Sequence, residues 1–391
     1  INIELVGREQ AKCVTVDNDS HLYLIGDFVI THNSSFQAVE EFGFFPNYLD
    51  FYQTTLPNVQ EGQAAAGQSY SIGCVCAGTK VYNHDGELIN IEDLSKDDGI
   101  CGYDGNGLIK EDVTYIQGEA YKDCFRIETE HNRFIECSYD HPLLVIDNAR
   151  VKKSKQKAVF KRAEDIIAGD KLLLLNNHNV FGEKKMKSAR LIGLLLGDGS
   201  YANCTTPTLS IATNDLYEYV NSNFDIGISK LMDCSNGDTY AQVYIKNIKN
   251  YLVELGMWGQ SKDKKELPKN IHQYDRYSIK EMLSGYFEAD GNVQIRNGNA
   301  IIKLTCKYRK MLEDIRYLLL KFGINSNIVK EKKGSSELKS TCNNKIYKLN
   351  KFDCYVLYIS KAEYVFRFIK EFNFTSKNKQ ERLDSAIIQL K

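Results

Sequence analysis

The feature that most constrains this chain is an internal repeat in its second half. LIGLLLGDG at 191–199 is echoed by LSGYFEADG at 283–291. Each copy is followed by a strand-like segment (LSIAT at 209–213, IKLT at 302–305), then by VYI at 243–245 or LYI at 357–359. SKDKKE at 261–266 and SKNKQE at 376–381 close the two series. Four matches in one order set coincidence aside and require one structural unit built twice. Helical apolar stretches (ARLIGLLLG, KEMLSGYFEA, MLEDIRYLLLKF, AEYVFRFIKEF) alternate here with strand-like ones, so an α/β domain is expected from about residue 185.

Each repeat begins with a helix that carries small residues, Gly193 and Gly197 in one copy and Ser284, Gly285 and Ala289 in the other, and ends in Asp198-Gly199 or Asp290-Gly291. Small residues let two helices approach backbone to backbone, which brings the two aspartates side by side. Carboxylates at paired helix C-termini repel each other and meet no favourable dipole, so the arrangement makes sense with divalent cations between them. Mg²⁺ bound by one or two carboxylates and held against phosphates fits metal-assisted phosphodiester hydrolysis. For one copy alone, an ordinary turn after an amphipathic helix is an equal reading; the duplication weighs against it. Lys264, Lys265 and Lys379 in the SKxKxE segments are candidates to balance charge building on phosphate, with solvated surface lysines as the alternative. The second copy is longer by a lysine-rich insertion at 331–351, with Tyr347 between Lys345 and Lys348, a composition suited to phosphate contacts.

On these motifs residues 185–385 resemble the LAGLIDADG homing endonucleases. The resemblance implies a pseudo-two-fold pair of αββαββα repeats whose sheets saddle double-stranded DNA. It places Asp198 and Asp290 where the family's Mg²⁺-binding acids stand.

The first half reads differently. Residues 1–33 and about 74–175 alternate as short strands (CVTV, HLYLI, DFVI, TKVY, ELINI, FRIETE), broken at His84-Asp85-Gly86 and Tyr103-Asp104-Gly105, an all-β pattern. Between them, 34–73 has no Lys or Arg, an aromatic first half, and a Gln/Ala/Gly/Ser-rich second half whose AAAG stretch reads as a flexible joint. It is a passenger connecting two parts of one β fold.

Four segments of the β parts resemble an intein. GCVCAGTKVYNHDGELINIEDL at 73–94 is similar to its opening, with Cys74 as nucleophile. In ECSYDHPLLV at 136–145, Ser138 and His141 hold the places of a Thr-x-x-His pair. AEDIIAGDKLLL at 163–174 matches a further strand-forming stretch. CVTVDNDSHLYLIGDFVITHNS at 13–34 is similar to the end, closing in His32-Asn33 before Ser34. The resemblance implies the mostly β Hint (hedgehog/intein) horseshoe and autocatalytic splicing without a cofactor. Cys74 would convert the Gly73 amide to a thioester, His141 would protonate the departing nitrogen and Ser138 would hold the strained peptide. Ser34 would take over the acyl group, and Asn33 would close to a succinimide with His32 polarising its carbonyl and His21 assisting. Cys13 stands where the family usually has an acid; an assistant and a core thiol are both open readings.

In the family the Cys segment comes first and His-Asn last. The reversed order here implies circular permutation, with 34–73 as its own substrate and a head-to-tail ring as product. Joining Lys391 back to Ile1 gives an unbroken apolar/polar alternation from Ile388 to Leu5, as one cut strand would show. The expected division is therefore 1–33 and 74–184 as the two parts of the splicing domain, 34–73 as extein-derived or linker segment, 185–385 as endonuclease, and 386–391 as a strand returning to the β domain.

Composition sets the remaining bounds. With 50 Lys+Arg against 51 Asp+Glu and a net charge of -1, a uniformly basic protein that coats nucleic acid is excluded. Eleven cysteines without a CxxC pair fit neither a zinc knuckle nor a disulfide framework, so a reducing, intracellular compartment is expected. No run approaches the ~18 apolar residues of a membrane span, and no basic-then-apolar leader opens the chain. A soluble cytoplasmic monomer is the expectation. Two other readings stay open: a nuclease whose β parts only bind DNA, and a splicing domain whose nuclease domain is an inactive insert.

Overall fold

In a computed structural model, the described residues are 2–32, 74–173 and 180–389 apart from short stretches, among them 13, 17–21, 26–28 and 147–157. Cys13, His21, Asn33, Ser34 and all of 34–73 lie outside them. The chain divides into two compact units, Ile1–Leu175 and Asn176–Lys391.

In the first unit, alternating sequence becomes antiparallel strands. A closed barrel is formed by β1 (Asn2–Lys12), β3 (Val75–Cys76), β4 (Ala120–Glu128) and β5 (Phe134–Ser138) in the order β1-β4-β5-β3. β1 bulges between Leu5 and Gly7, where Gly7 takes a φ of 102° that an L side chain would strain against. A nine-stranded sheet contains β2 (Val29–His32) beside β6 (Pro142–Ile146). The core beneath joins Val14, Tyr23, Ile25, Val75, Val81, Ile127, Leu143 and Val145. The unit is strand-rich, as its turn-punctuated alternation requires.

The second unit contains the repeat twice over. Its first half runs α1 (Ala189–Asp198), β7 (Gly199–Ser200), β8 (Thr208–Ile211), α2 (Asn214–Asn223), β9 (Ile226–Asp233), β10 (Thr239–Ile245) and α3 (Lys249–Glu254). Its second half runs α4 (Arg276–Asp290), β11 (Gly291–Arg296), β12 (Asn299–Cys306), α5 (Arg309–Lys321), β13 (Asn327–Lys333), β16 (Phe352–Ile359), α6 (Ala362–Glu371) and α7 (Lys377–Gln389). Between β13 and β16 stands a hairpin, β14 (Ser336–Lys339) and β15 (Ile346–Leu349), with no counterpart among the described residues of the first half. The two sheets have matching orders, β7-β8-β10-β9 and β11-β12-β16-β13. α1 is buried almost all round, through Leu191, Ile192, Leu194, Leu195 and Leu196, and therefore sits inside the unit.

Two expectations are corrected. The division falls at 175/176 rather than at 185, because Gly182 N donates to Tyr274 O (3.1 Å) and Lys184 N to Gln273 O (2.9 Å), tying that stretch to the α/β unit. The stretch from 386 is helical through Gln389, and not a return strand. Buried Leu383 and Ala386 lie three apart on this helix, a helical spacing rather than an alternation. Cys234 is disulfide-bonded. Among the described residues, no helix is long and apolar enough to cross a membrane.

Candidate functional site

The first candidate site is the crossing of α1 and α4. A Cβ placed on Gly193 would lie 2.0 Å from Met282 O, and one on Gly285 2.1 Å from Arg190 O. The two backbones thus touch where the small residues predicted it. Arg190 and Glu281 pair beside the crossing, Nε to Oε2 at 2.8 Å. Towards the helix C-termini, a Cβ on Gly197 would meet Ala289 Cβ at 2.4 Å and the Asp290 carboxyl at 3.3 Å. Asp198 and Asp290 end the two helices, both exposed.

Helix ends leave carbonyls without partners and a partial negative charge. Lys265 meets both needs for α1: its Nζ reaches Leu195 O, Leu196 O and Gly197 O at 2.9 Å and Gly199 O at 2.7 Å. It also lies over the buried Tyr201 ring, 5.2 Å from the centroid. Lys379 does the same for α4, donating to Phe287 O at 3.3 Å and to Glu288 O. Burial pushes the Lys379 ammonium down, while the carboxylates of Glu288, Asp198 and Asp290 draw it back up. Glu288 is itself buried and its carboxyl raised by that burial, against backbone N–H donors from Thr375 and Ser376.

Aligning the repeats by sequence matches Lys264 with Lys379, but it is Lys265 that holds the equivalent place. Lys264 is exposed, and the structure does not bring it to the crossing. Among the described residues no group of three or more His, Cys, Asp and Glu could hold a metal. The donors at the crossing are two hard carboxylates, which fits Mg²⁺ only in its habit of taking one or two protein oxygens and completing its shell with water and phosphate.

The second candidate site lies where β5 turns into β6. Cys74 is buried, and it meets β5 through one main-chain and one side-chain hydrogen bond: Ser138 N donates to Cys74 O at 2.9 Å, and Cys74 N donates to Ser138 Oγ at 2.8 Å. The Ser138 hydroxyl also lies 2.5 Å from Asp140 Oδ1 and 3.2 Å from Cys74 O. Lys122 Nζ, from β4, reaches Asp140 Oδ2 at 3.2 Å. Buried His141 closes the turn, its N donating to Ser138 O at 3.0 Å and its O accepting from Ala163 N at 2.9 Å. Thr31 in β2 pairs antiparallel with Leu143, two residues beyond His141, and His32 pairs with Leu22. The backbone thus leads β2 towards the turn that Cys74 also touches.

Cys74, Cys76, Cys124 and Ala11 form a small buried cluster. The hydrogen bond between Cys76 and Cys124 raises the Cys76 thiol and lowers that of Cys124, while burial raises that of Cys137. Sequence reasoning singled out Ser138 and His141 but missed Asp140, which stands in the same quoted segment. It missed Lys122 entirely, since nothing in sequence links a residue of β4 to that turn.

The family model for LAGLIDADG-like domains matches residues 278–373, the span from α4 into the end of α6. The chain carries a LAGLIDADG-like domain. Among curated relatives, the replication factor C small subunit of Methanocaldococcus jannaschii is 26% identical over 298 residues, 73% of this chain and 14% of that protein. The ribonucleoside-diphosphate reductase large subunit of Invertebrate iridescent virus 6 is 25% identical over 297 residues, 72% of this chain and 28% of that protein. The chain thus spans well under a third of either relative. Among solved structures, the N-terminal LAGLIDADG domain of DUF199/WhiA aligns with 14% identity and a TM-score of 0.30, covering 49% of this chain and 83% of that one.

Proposed function

We propose that the chain is a self-processing β domain joined to a LAGLIDADG-like DNA endonuclease. The first is a Hint-type splicing domain in permuted order. The observation that carries this reading is the Ser138 hydroxyl on the Cys74 amide nitrogen, in the position needed to hold the peptide that the thiol opens. A second support is that relatives named for unlike proteins align with most of this chain through only part of their own length, as a portable insert would.

The steps follow from what each side chain can do. The Cys74 sulfur bonds to the Gly73 carbonyl carbon, the C–N bond breaks, and the thiol proton ends on the nitrogen, with His141 as donor beside the turn. The Ser34 hydroxyl takes the acyl group from Cys74. Asn33 closes on its own carbonyl and cuts the bond to Ser34, with His32 polarising that carbonyl. Because Gly73 and Ser34 end one segment, the product is a ring of 34–73. Mass spectrometry of the incubated protein gives this segment one water lighter than its linear form, and Asn33→Ala abolishes the ring. Recovery of intact chain alone from the parent overturns the reading.

In the α/β unit, Asp198 and Asp290 would hold Mg²⁺, which when bound supplies Lewis-acid stabilisation of a phosphodiester under attack. Lys265 and Lys379 keep the two helix ends electrically tolerable so that the carboxylates can stand together. Incubation with a long double-stranded DNA library and Mg²⁺ gives discrete double-strand breaks, and Asp290→Asn lowers the rate by more than ~100-fold, as loss of a metal ligand does. A second reading, DNA binding without cleavage, is favoured by one observation: both lysine ammoniums are engaged by helix carbonyls. Retained library binding with no breaks at any Mg²⁺ concentration selects it.

A further inference from the structure

We propose that Asp140, anchored by Lys122, is a positioning residue that aims the Ser138 hydroxyl at the Cys74 amide for opening of the Gly73–Cys74 bond; this rests on the splicing reading above. The Ser138 hydroxyl has one proton and, among the described residues, three polar atoms around it: Cys74 N at 2.8 Å, Asp140 Oδ1 at 2.5 Å and Cys74 O at 3.2 Å. The amide nitrogen is a donor, so towards it Oγ must offer a lone pair. The proton then has two possible acceptors. A carboxylate oxygen at 2.5 Å outcompetes a neutral carbonyl at 3.2 Å, because charge-assisted hydrogen bonds are shorter and roughly twice as strong. Asp140 thereby settles the rotor, and the lone pair stays on the Cys74 N–H.

Asp140 is held in turn. Its side chain is 2% exposed, and a buried carboxylate is stable only when its oxygens are matched. Oδ1 takes the Ser138 hydroxyl and Oδ2 takes Lys122 Nζ at 3.2 Å. Lys122 stands on β4, two residues before Cys124, which pairs with Ser138 across the ladder. The neighbouring strand therefore fixes the carboxylate, the carboxylate fixes the hydroxyl, and the hydroxyl fixes the plane of the amide. A displacement of about 1 Å in such a chain costs on the order of 100-fold in rate. Neither Asp140 nor Lys122 exchanges a bond with the reacting atoms; the acyl shift balances with the thiol proton alone, which ends on the Cys74 nitrogen.

The experiment compares the two junctions in the full chain. Thioester at Gly73–Cys74 is trapped with hydroxylamine, and cleavage at Asn33–Ser34 is followed separately by mass. Asp140→Ala slows hydroxylamine-dependent cleavage on the order of 100-fold. Asp140→Asn, which keeps an oxygen for the hydroxyl, recovers part of that loss. Lys122→Met falls between, and in all three the rate at Asn33–Ser34 stays within about twofold of the parent. Parent-like trapping in Asp140→Ala overturns the proposal, as does an equal fall at both junctions in Asp140→Ala and Asp140→Asn, which marks a purely structural residue. A parent that itself yields neither trapped thioester nor ring overturns the splicing reading instead.

Discussion

Single side chains decide whether each site can work. Removing the Ser138 hydroxyl leaves the buried Cys74 N–H without its acceptor, so Ser138→Ala destabilises the β unit by about 1–3 kcal/mol. In the same variant hydroxylamine-trapped thioester falls; denaturant unfolding and the trapping assay measure the two effects. At the helix crossing, Lys265→Met strips the α1 carbonyls of the donor they share. A cost of about 1–3 kcal/mol is expected, whereas Lys264→Met, at an exposed position, changes stability by less than ~0.5 kcal/mol. Thermal melts of the two variants separate them. The sequence named both lysines but could not choose between them, because the repeat aligns Lys264 with Lys379 and only the path of the chain before α4 presents Lys265 to the carbonyls. Asp140 escaped for a related reason: its value lies in a hydroxyl rotor and a lysine from another strand, neither of which leaves a periodic trace.

Glu288 adds a pH term at the same scale. Burial raises its carboxyl above the ordinary 4.5. The sign follows: a raised folded value gives stability that is complete below the unfolded value and lost as pH rises through the folded one. Melting temperatures measured upward from pH 4.5 therefore contain a declining contribution that Glu288→Gln removes. An unchanged slope in that variant means the carboxyl is not the source.

At the scale of elements, the helix crossing was the most legible part of the fold. Gly193 and Gly285 stand out in otherwise bulky apolar helices, and the structure places each against the backbone of the other helix. Gly193→Ala puts a methyl 2.0 Å from Met282 O; forcing the helices apart costs about 1–3 kcal/mol or more and separates Asp198 from Asp290. Loss of DNA cleavage with retained folding at low temperature is the expected result, read by library cleavage and circular dichroism. The C-terminal stretch was the least legible. The alternation from Ile388 to Leu5 was read across a joined end, and it left out the helical spacing of Leu383 and Ala386 just before it. The strands of the β unit were readable as a class, yet not their pairing: nothing in sequence announces that β1 would close a barrel with β4 and β3.

For the whole molecule, the two cores draw on separate residues, Met186 to Ala386 in one and Val14 to Ile166 in the other. Calorimetry should therefore resolve two transitions, with Gly193→Ala lowering one and leaving the other in place. A single transition shifted as a whole shows the units to be thermodynamically coupled. The repeat, with its two sheets of like order, told of one of these bodies from sequence alone; the other had to be assembled from scattered motifs, and of the residues at its proposed junctions Asn33, Ser34 and Gly73 lie outside those the structure describes.

The β14–β15 hairpin is inserted between two strands of one sheet as a two-stranded sheet of its own, and has no counterpart among the described residues of the other half. A reader built from two like halves would trace a palindrome, but one half with an extra lysine-bearing finger has a longer grip on its own side. Hydroxyl-radical protection on bound duplex should thus be lopsided about the scission point, and trimming the finger should shorten only the longer flank. Such asymmetry also gives the bound complex a direction, so that inverting the duplex around its centre creates a different ligand.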